Sequence, residues 1–187
     1  MKFSKLELAG PLHVVPRRVE DGRGYFAETY REDLFCAQTG PVRFVQENQS
    51  LSVEAGTIRG LHFQLDPFAQ SKLVRCVSGS LYDVVVDIRL GSPTFGKFAA
   101  ITISSAAGNQ LWIPAGFAHG FCSLEPDTII SYKVTAYYSP THDRGLAWDD
   151  PDLAIAWPDI ANPETLSGKD RLQPQLTALP PCFAFES

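Results

Sequence analysis

Between residues 43 and 136 the chain is a succession of short β-prone runs, 43–51, 57–64, 72–78, 80–89, 97–103, 109–113, 117–124 and 128–136, separated by Gly, Pro, Ser, Asn and Asp. No helical spacer intervenes, so this rhythm predicts an all-β antiparallel sandwich or jelly roll with few short helices, and argues against a parallel α/β sheet. In the run 80–89, alternation puts Tyr82, Val84, Val86 and Ile88 on one face, which we read as core, and Asp83 and Asp87 on the other.

The flanks differ in character. Residues 10–28 mix turn formers with short apolar pieces and Tyr25 to Tyr30 turns strand-like, which predicts an edge strand or a projecting arm. Arg31 to Gln38 predicts a helix, with acids early and Gly40 as its stop before Pro41. After Pro140 the composition shifts to Asp, Pro and Trp, predicting a turn-rich wrap. A chain of 187 residues suits one domain over 1–187: an arm to about residue 42, a jelly-roll core to about 138 and the wrap to 187.

Composition narrows the partners. A net charge of −5 argues against binding a nucleic-acid backbone, so positive charge for an anionic ligand must be concentrated locally. No apolar run approaches the roughly 18 residues of a membrane span. Met1 to Glu7 lacks the apolar centre of a secretory signal, so the expectation is a cytoplasmic protein without a membrane partner. Cys36, Cys76, Cys122 and Cys182 are scattered and read as free thiols.

The stretch Thr57-Ile58-Arg59-Gly60-Leu61-His62-Phe63-Gln64, followed by Lys72, spends strand positions on charge, which a core avoids unless those groups face a site. Strict alternation sends His62 and Arg59 to opposite faces. A bulge at Gly60 brings them together; without it, Arg59 faces solvent. His119, Tyr132 and Asp170 are further candidates, though each taken singly reads more readily as an ordinary packed or solvated residue. His119 sits in a Pro-x-Gly-x-x-His segment like the second motif of metal-binding cupin barrels, but the first motif is broken, because Phe63 and Gln64 follow His62. Two histidines fall short of a catalytic metal site, and no metal is expected. What remains is a kit for proton transfer beside a ketone: a His base, a Tyr acid, and Lys72 and Arg59 as cations for an oxyanion.

Six segments in order, Arg59 to Gln64, Lys72 to Arg75, Ser92 to Gly96, Gln110 to Pro114, Gly116 to Phe121 and Trp148 to Pro151, resemble the dTDP-4-dehydrorhamnose 3,5-epimerase family, over residues 10 to 172. The resemblance implies a cupin jelly roll, a homodimer, and action on dTDP-4-dehydro-6-deoxy-D-glucose without metal or organic cofactor. It places the base on His62, the proton donor on Tyr132 and the orienting carboxylate on Asp170, and puts Arg59 and Lys72 near sugar and diphosphate. Lys72 is our candidate for the cation that meets the enolate. His119 matches a pocket histidine, Lys169 a nucleotide contact, Gln46 and Asn48 a nucleotide-binding strand, and Tyr138 a thymine-stacking ring. Arg23, Phe26 and Glu28 match an arm that reaches a neighbour's site. Asp143 stands where Glu is frequent, which shortens a binding side chain by one methylene. Three other readings stay open at this stage: inversion at C3 or C5 alone, a silent nucleotide-sugar binder, and a metal-dependent isomerase.

Overall fold

The computed structural model describes residues 1–185; Glu186 and Ser187, the end of the wrap, lie outside the described residues. Two short paired strands come first, β1 (Lys2–Lys5) and β2 (Leu12–Val15), then a hairpin, β3 (Arg18–Asp21) and β4 (Gly24–Ala27), and a helix, α1 (Glu32–Thr39). The helix ends where Gly40 takes φ +79°, a conformation that suits glycine. Then follow β5 (Gln46–Ser52), β6 (Ile58–Gln64), β7 (Lys72–Ser78), β8 (Ser80–Asp87), the two-residue β9 (Arg89–Leu90), β10 (Phe98–Ser104), β11 (Gln110–Ile113), β12 (Phe117–Ser123) and β13 (Thr128–Val134). The wrap carries β14 (Asp143–Gly145), short 3₁₀ turns and β15 (Phe183–Ala184).

These strands form a six-stranded sheet, in the order β1-β2-β11-β7-β13-β5, and a five-stranded sheet, β10-β8-β12-β6-β14. From β5 to β8, and again from β10 to β14, each successive strand crosses to the other sheet, while all neighbours within these two sheets pair antiparallel. That alternation makes a jelly roll, as the strand rhythm predicts.

Between the sheets, Val74, Leu111, Ile113 and Ile130 from one meet Leu81, Val85, Ile103, Phe117 and Phe121 from the other. Outside the five-stranded sheet, Phe63, Val84, Val86, Ile88 and Ala118 lie under Leu146, Leu153, Trp157 and Leu176 of the wrap. Outside the six-stranded sheet, Phe35 of α1 closes over Val14, Leu73 and Trp112. The expected core face of 80–89 is therefore only half of what is buried. Tyr82, Val84, Val86 and Ile88 pack beneath the wrap, while Leu81, Asp83 and Val85 point into the barrel, and Asp83 and Asp87 are both wholly inaccessible. A strand covered on both faces keeps no solvent side for its acids.

The arm hairpin is tied to the barrel at Arg18, whose guanidinium donates to the Ser105 and Ala106 carbonyls, while Phe26 is left 74% exposed and Tyr25 60% exposed. Among the described residues no helix is long and apolar enough to cross a membrane.

Candidate active site

β6 lies between β12 and β14, and Gly60 decides what it presents. His62 faces His119 across the β6–β12 ladder and Arg59 faces Phe121, so three steps along β6 match two along β12. The surplus residue is a bulge, and it reverses the alternation so that Arg59 and His62 line one cavity. Gly60 has φ +115°, and a Cβ there would lie 2.5 Å from Gly120 Cα and 2.7 Å from the His119 carbonyl oxygen. Only glycine fits where the two backbones approach so closely.

The cavity, about 280 Å³, opens between the sheets and is lined by Arg59, His62, Lys72, His119, Tyr132, Lys169 and Asp170, together with Ser50, Phe121, Ile130 and Ser167. His62 belongs to the five-stranded sheet, whereas Tyr132 and Lys72 belong to the six-stranded one. Base and acid candidates therefore stand on opposite walls. An adjoining hollow of about 250 Å³ shares His62, Lys72 and Tyr132 and adds Gln46, Asn48, Gln64, Gln70, Tyr138 and Asp143.

Asp170 arrives from the wrap, 5% exposed, with Oδ1 2.6 Å from Nε2 of His62. Burial on its own would raise the Asp170 carboxyl, but the hydrogen bond and charge of His62, the Ser167 hydroxyl and the Gly60 amide together hold it below the ordinary carboxylate value. An ionised Asp170 accepts the Nε2 proton, which leaves the lone pair on Nδ1 of His62. Lys72 is buried, and its ammonium donates to the His62 carbonyl at 3.2 Å. Burial pulls its pKa from 10.5 to about 8, against the supporting charges of Asp143 and Asp83. Burial lifts the Tyr132 hydroxyl above its ordinary value; Arg59 and Asn48 work against that lift and Asp143 adds to it.

Around this centre, Arg59 donates to the Leu51 carbonyl at 2.9 Å. Asp143 is gripped by the Lys169 ammonium and by the Tyr138 hydroxyl at 3.0 Å, and Gln46 donates to Asn48 at 2.8 Å. Arg23, Phe26 and Glu28 are not brought to this cavity. Arg23 is 91% exposed and pairs with Asp21, Glu28 is exposed, and Arg23 and Phe26 border a separate surface hollow on the hairpin. Sequence reasoning passed over Ser50 and Asp83. Ser50 shares a face with Gln46 and Asn48 by simple alternation along β5, a signal that could have found it. Asp83 bonds His119 at 2.5 Å and lies on the same face of β8 as Val85, the ladder partner of His119.

A family model described as dTDP-4-dehydrorhamnose 3,5-epimerase matches residues 5–178. The dTDP-4-dehydrorhamnose 3,5-epimerase of Sinorhizobium fredii is 54% identical over 185 residues, spanning 99% of this chain and 94% of that protein. The crystal structure of the Legionella pneumophila dTDP-6-deoxy-D-glucose-3,5-epimerase in complex with dTDP-4-keto-L-rhamnose matches with a TM-score of 0.93 at 36% identity, over 100% of this chain and 99% of that one. A Bacillus anthracis dTDP-4-dehydrorhamnose 3,5-epimerase with TDP and PPi bound matches with a TM-score of 0.89 at 45% identity, over 93% and 98%. On the evidence of its jelly roll, its carboxylate-held histidine and a match along nearly its whole length, this chain belongs to the dTDP-4-dehydrorhamnose 3,5-epimerase family.

Proposed function

We propose that this protein is a cytoplasmic isomerase that inverts C3 and C5 of dTDP-4-dehydro-6-deoxy-D-glucose to give dTDP-4-dehydro-L-rhamnose, on the way to dTDP-L-rhamnose, with residues 1–187 acting as one catalytic domain. The observation that carries the mechanism is the His62–Asp170 contact at 2.6 Å on one wall of the cavity, with Tyr132 on the other. The C4 ketone acidifies the hydrogens on its two neighbouring carbons. Nδ1 of His62 takes one of them, and the electron pair moves onto the C4 oxygen, where the Lys72 ammonium meets the enolate. Tyr132 then returns a proton from the opposite face, which inverts the carbon. Once His62 has given its proton to solvent and Tyr132 has regained one from it, a second round does the same at the other carbon.

Arg59 and His119 border the sugar in this reading, while Gln46, Asn48, Tyr138, Asp143 and Lys169 receive the nucleotide and its diphosphate. Arg23 and Phe26 on the hairpin, with Glu28 just after it, act on a second copy, so the working form is a homodimer. Incubation with substrate in deuterated water, followed by proton NMR of each carbon, tests the reading. Exchange with inversion at both C3 and C5 is expected. Change at one carbon only makes the protein a single-carbon epimerase, and no deuterium after long incubation makes it a binder.

A further inference from the structure

Asp83 enters the barrel from β8, the neighbour of β12 in the five-stranded sheet, on the inward face that carries Leu81 and Val85. It is wholly buried. Its Oδ1 lies 2.5 Å from Nε2 of His119, and Oδ2, equally buried, has no hydrogen-bond partner among the described residues. A carboxylate kept out of water with an unpaired oxygen is unfavourable unless nearby charge compensates it. Two cavity residues bear on it: His119 by direct contact, and Lys72, whose charge is supported first by Asp143 and then by Asp83.

We propose that Asp83 is a positioning residue of this cavity, a single buried carboxylate that fixes the His119 ring through Nε2 and keeps the Lys72 ammonium charged. The inference rests on the epimerase reading of the site, where Lys72 must carry its proton to meet the enolate. The charged and titratable groups that line the two hollows with Lys72 are Asp143 on β14, Arg59 and His62 on β6, His119 on β12, Tyr132 on β13, and Lys169 and Asp170 from the wrap. Lys169 opposes the charge of Lys72. Asp170 is engaged by His62, and Asp143 is already shared between Lys169 and Tyr138. Oδ2 of Asp83 has no hydrogen-bond partner among the described residues. With its Nε2 proton donated to Asp83, His119 offers the sugar an acceptor at Nδ1, and Lys72 remains the cation near the ketone.

Asp83→Asn keeps the shape of the side chain and an oxygen to accept from His119, and it removes the charge. Two readouts follow the consequence: the basic limb of kcat/KM, which reports the free enzyme, and a direct NMR titration of the Lys72 ammonium without substrate. Burial already draws the Lys72 ammonium down to about 8, and losing the Asp83 charge is expected to lower both midpoints by about one unit more, the lower end of what a neighbouring opposite charge contributes. If Asp83 is only a packing residue, the melting temperature drops while both midpoints stay in place, and the proposal is overturned. The titration needs no turnover, so a parent protein that exchanges no deuterium counts against the epimerase reading while Asp83 is still judged by Lys72. Should Asp83→Asn not accumulate as folded protein, the parent supplies the second test. The buried Nε2–H that His119 donates to Asp83 is expected to give an imidazole N–H resonance protected from solvent exchange, which vanishes in His119→Gln and persists in His62→Asn. Absence of that resonance overturns the fixed ring.

Discussion

The Asp170 carboxylate meets His62 across 108 residues of sequence, with Oδ1 2.6 Å from Nε2, and so selects which ring nitrogen keeps its lone pair. In Asp170→Asn the amide has no charge to hold the Nε2 proton, and its NH₂ group favours the other tautomer. Turnover is expected to fall by about 10²–10⁴ with little change in KM. The folded Asp170 carboxyl titrates below its ordinary 3.8. Its stabilising contribution is therefore complete above that ordinary value and is lost as pH falls through the lower, folded one. Acid unfolding of Asp170→Asn should lack that component, and identical acid limbs in both proteins would contradict the contact.

Replacing His62 by Asn should abolish both solvent exchange and inversion, because only the base breaks a C–H bond. Tyr132→Phe keeps the ring packing and removes the hydroxyl. Deuterium exchange should stay measurable in that variant while inversion falls by roughly 10²–10⁴. Inversion at C5 near the parent rate would return Tyr132 to an ordinary packed aromatic, and exchange surviving in His62→Asn would move the search for the base to His119.

Lys72 sets activity and stability against each other. Losing the cation should cost about 10²–10³ in turnover in Lys72→Met. Holding an ammonium whose pKa falls from 10.5 to about 8 is unfavourable to the fold. Between those values the unfolded chain binds more protons than the folded one, so this penalty is fully present below pH 8 and fades as pH rises to 10.5. Lys72→Met should thus be more stable than the parent at pH 7, by about 1–3 kcal/mol after the His62 carbonyl loses its donor. Denaturant titrations at pH 7 and pH 10 check this; a gain that does not shrink at the higher pH would exclude charge burial as its source.

Gly60→Ala forces a Cβ to within 2.5 Å of Gly120 Cα at a φ of +115°. A loss of about 2–4 kcal/mol is expected, or about 4–16 °C in Tm for a chain of this size. Activity should drop further than stability explains, since the bulge is what turns Arg59 and His62 to one side. A variant with the parent's Tm would show that the strands part without strain.

Deleting the hairpin, residues 18–27, should leave a folded jelly roll, because β3 and β4 pair only with each other. Sedimentation is expected to shift from dimer to monomer and activity to be lost. Full activity after the deletion would remove Arg23 and Phe26 from the site.

The strands β5 to β8 and β10 to β13 were legible as β-prone runs between turn formers, and α1 because its acids and Gly40 mark both ends. The four-residue strands β1 and β2 were not, since turn-rich flanks hide them and they exist only by pairing with each other and with β11. Alternation along β8 sorted Asp83 and Asp87 to the correct face but not to the correct environment. A period shows which residues point together, and whether anything covers them depends on chain from elsewhere, here the wrap. The grouping of His62, Lys72 and Tyr132 followed from their chemistry and from the family pattern. The His119–Asp83 contact joins residues whose pairing is set by strand register, which composition does not encode.

Asp170 and its companion Ser167 come from the wrap, after every strand of the two large sheets is complete. During synthesis at the ribosome the barrel can close before these residues leave the exit tunnel. A nascent chain at that stage has walls, floor and a histidine in place, but no carboxylate to direct its proton. The His62–Asp170 pair is therefore completed only when the wrap docks, and a protease that clips ahead of residue 167 would cut away that carboxylate together with Leu176, which covers the five-stranded sheet.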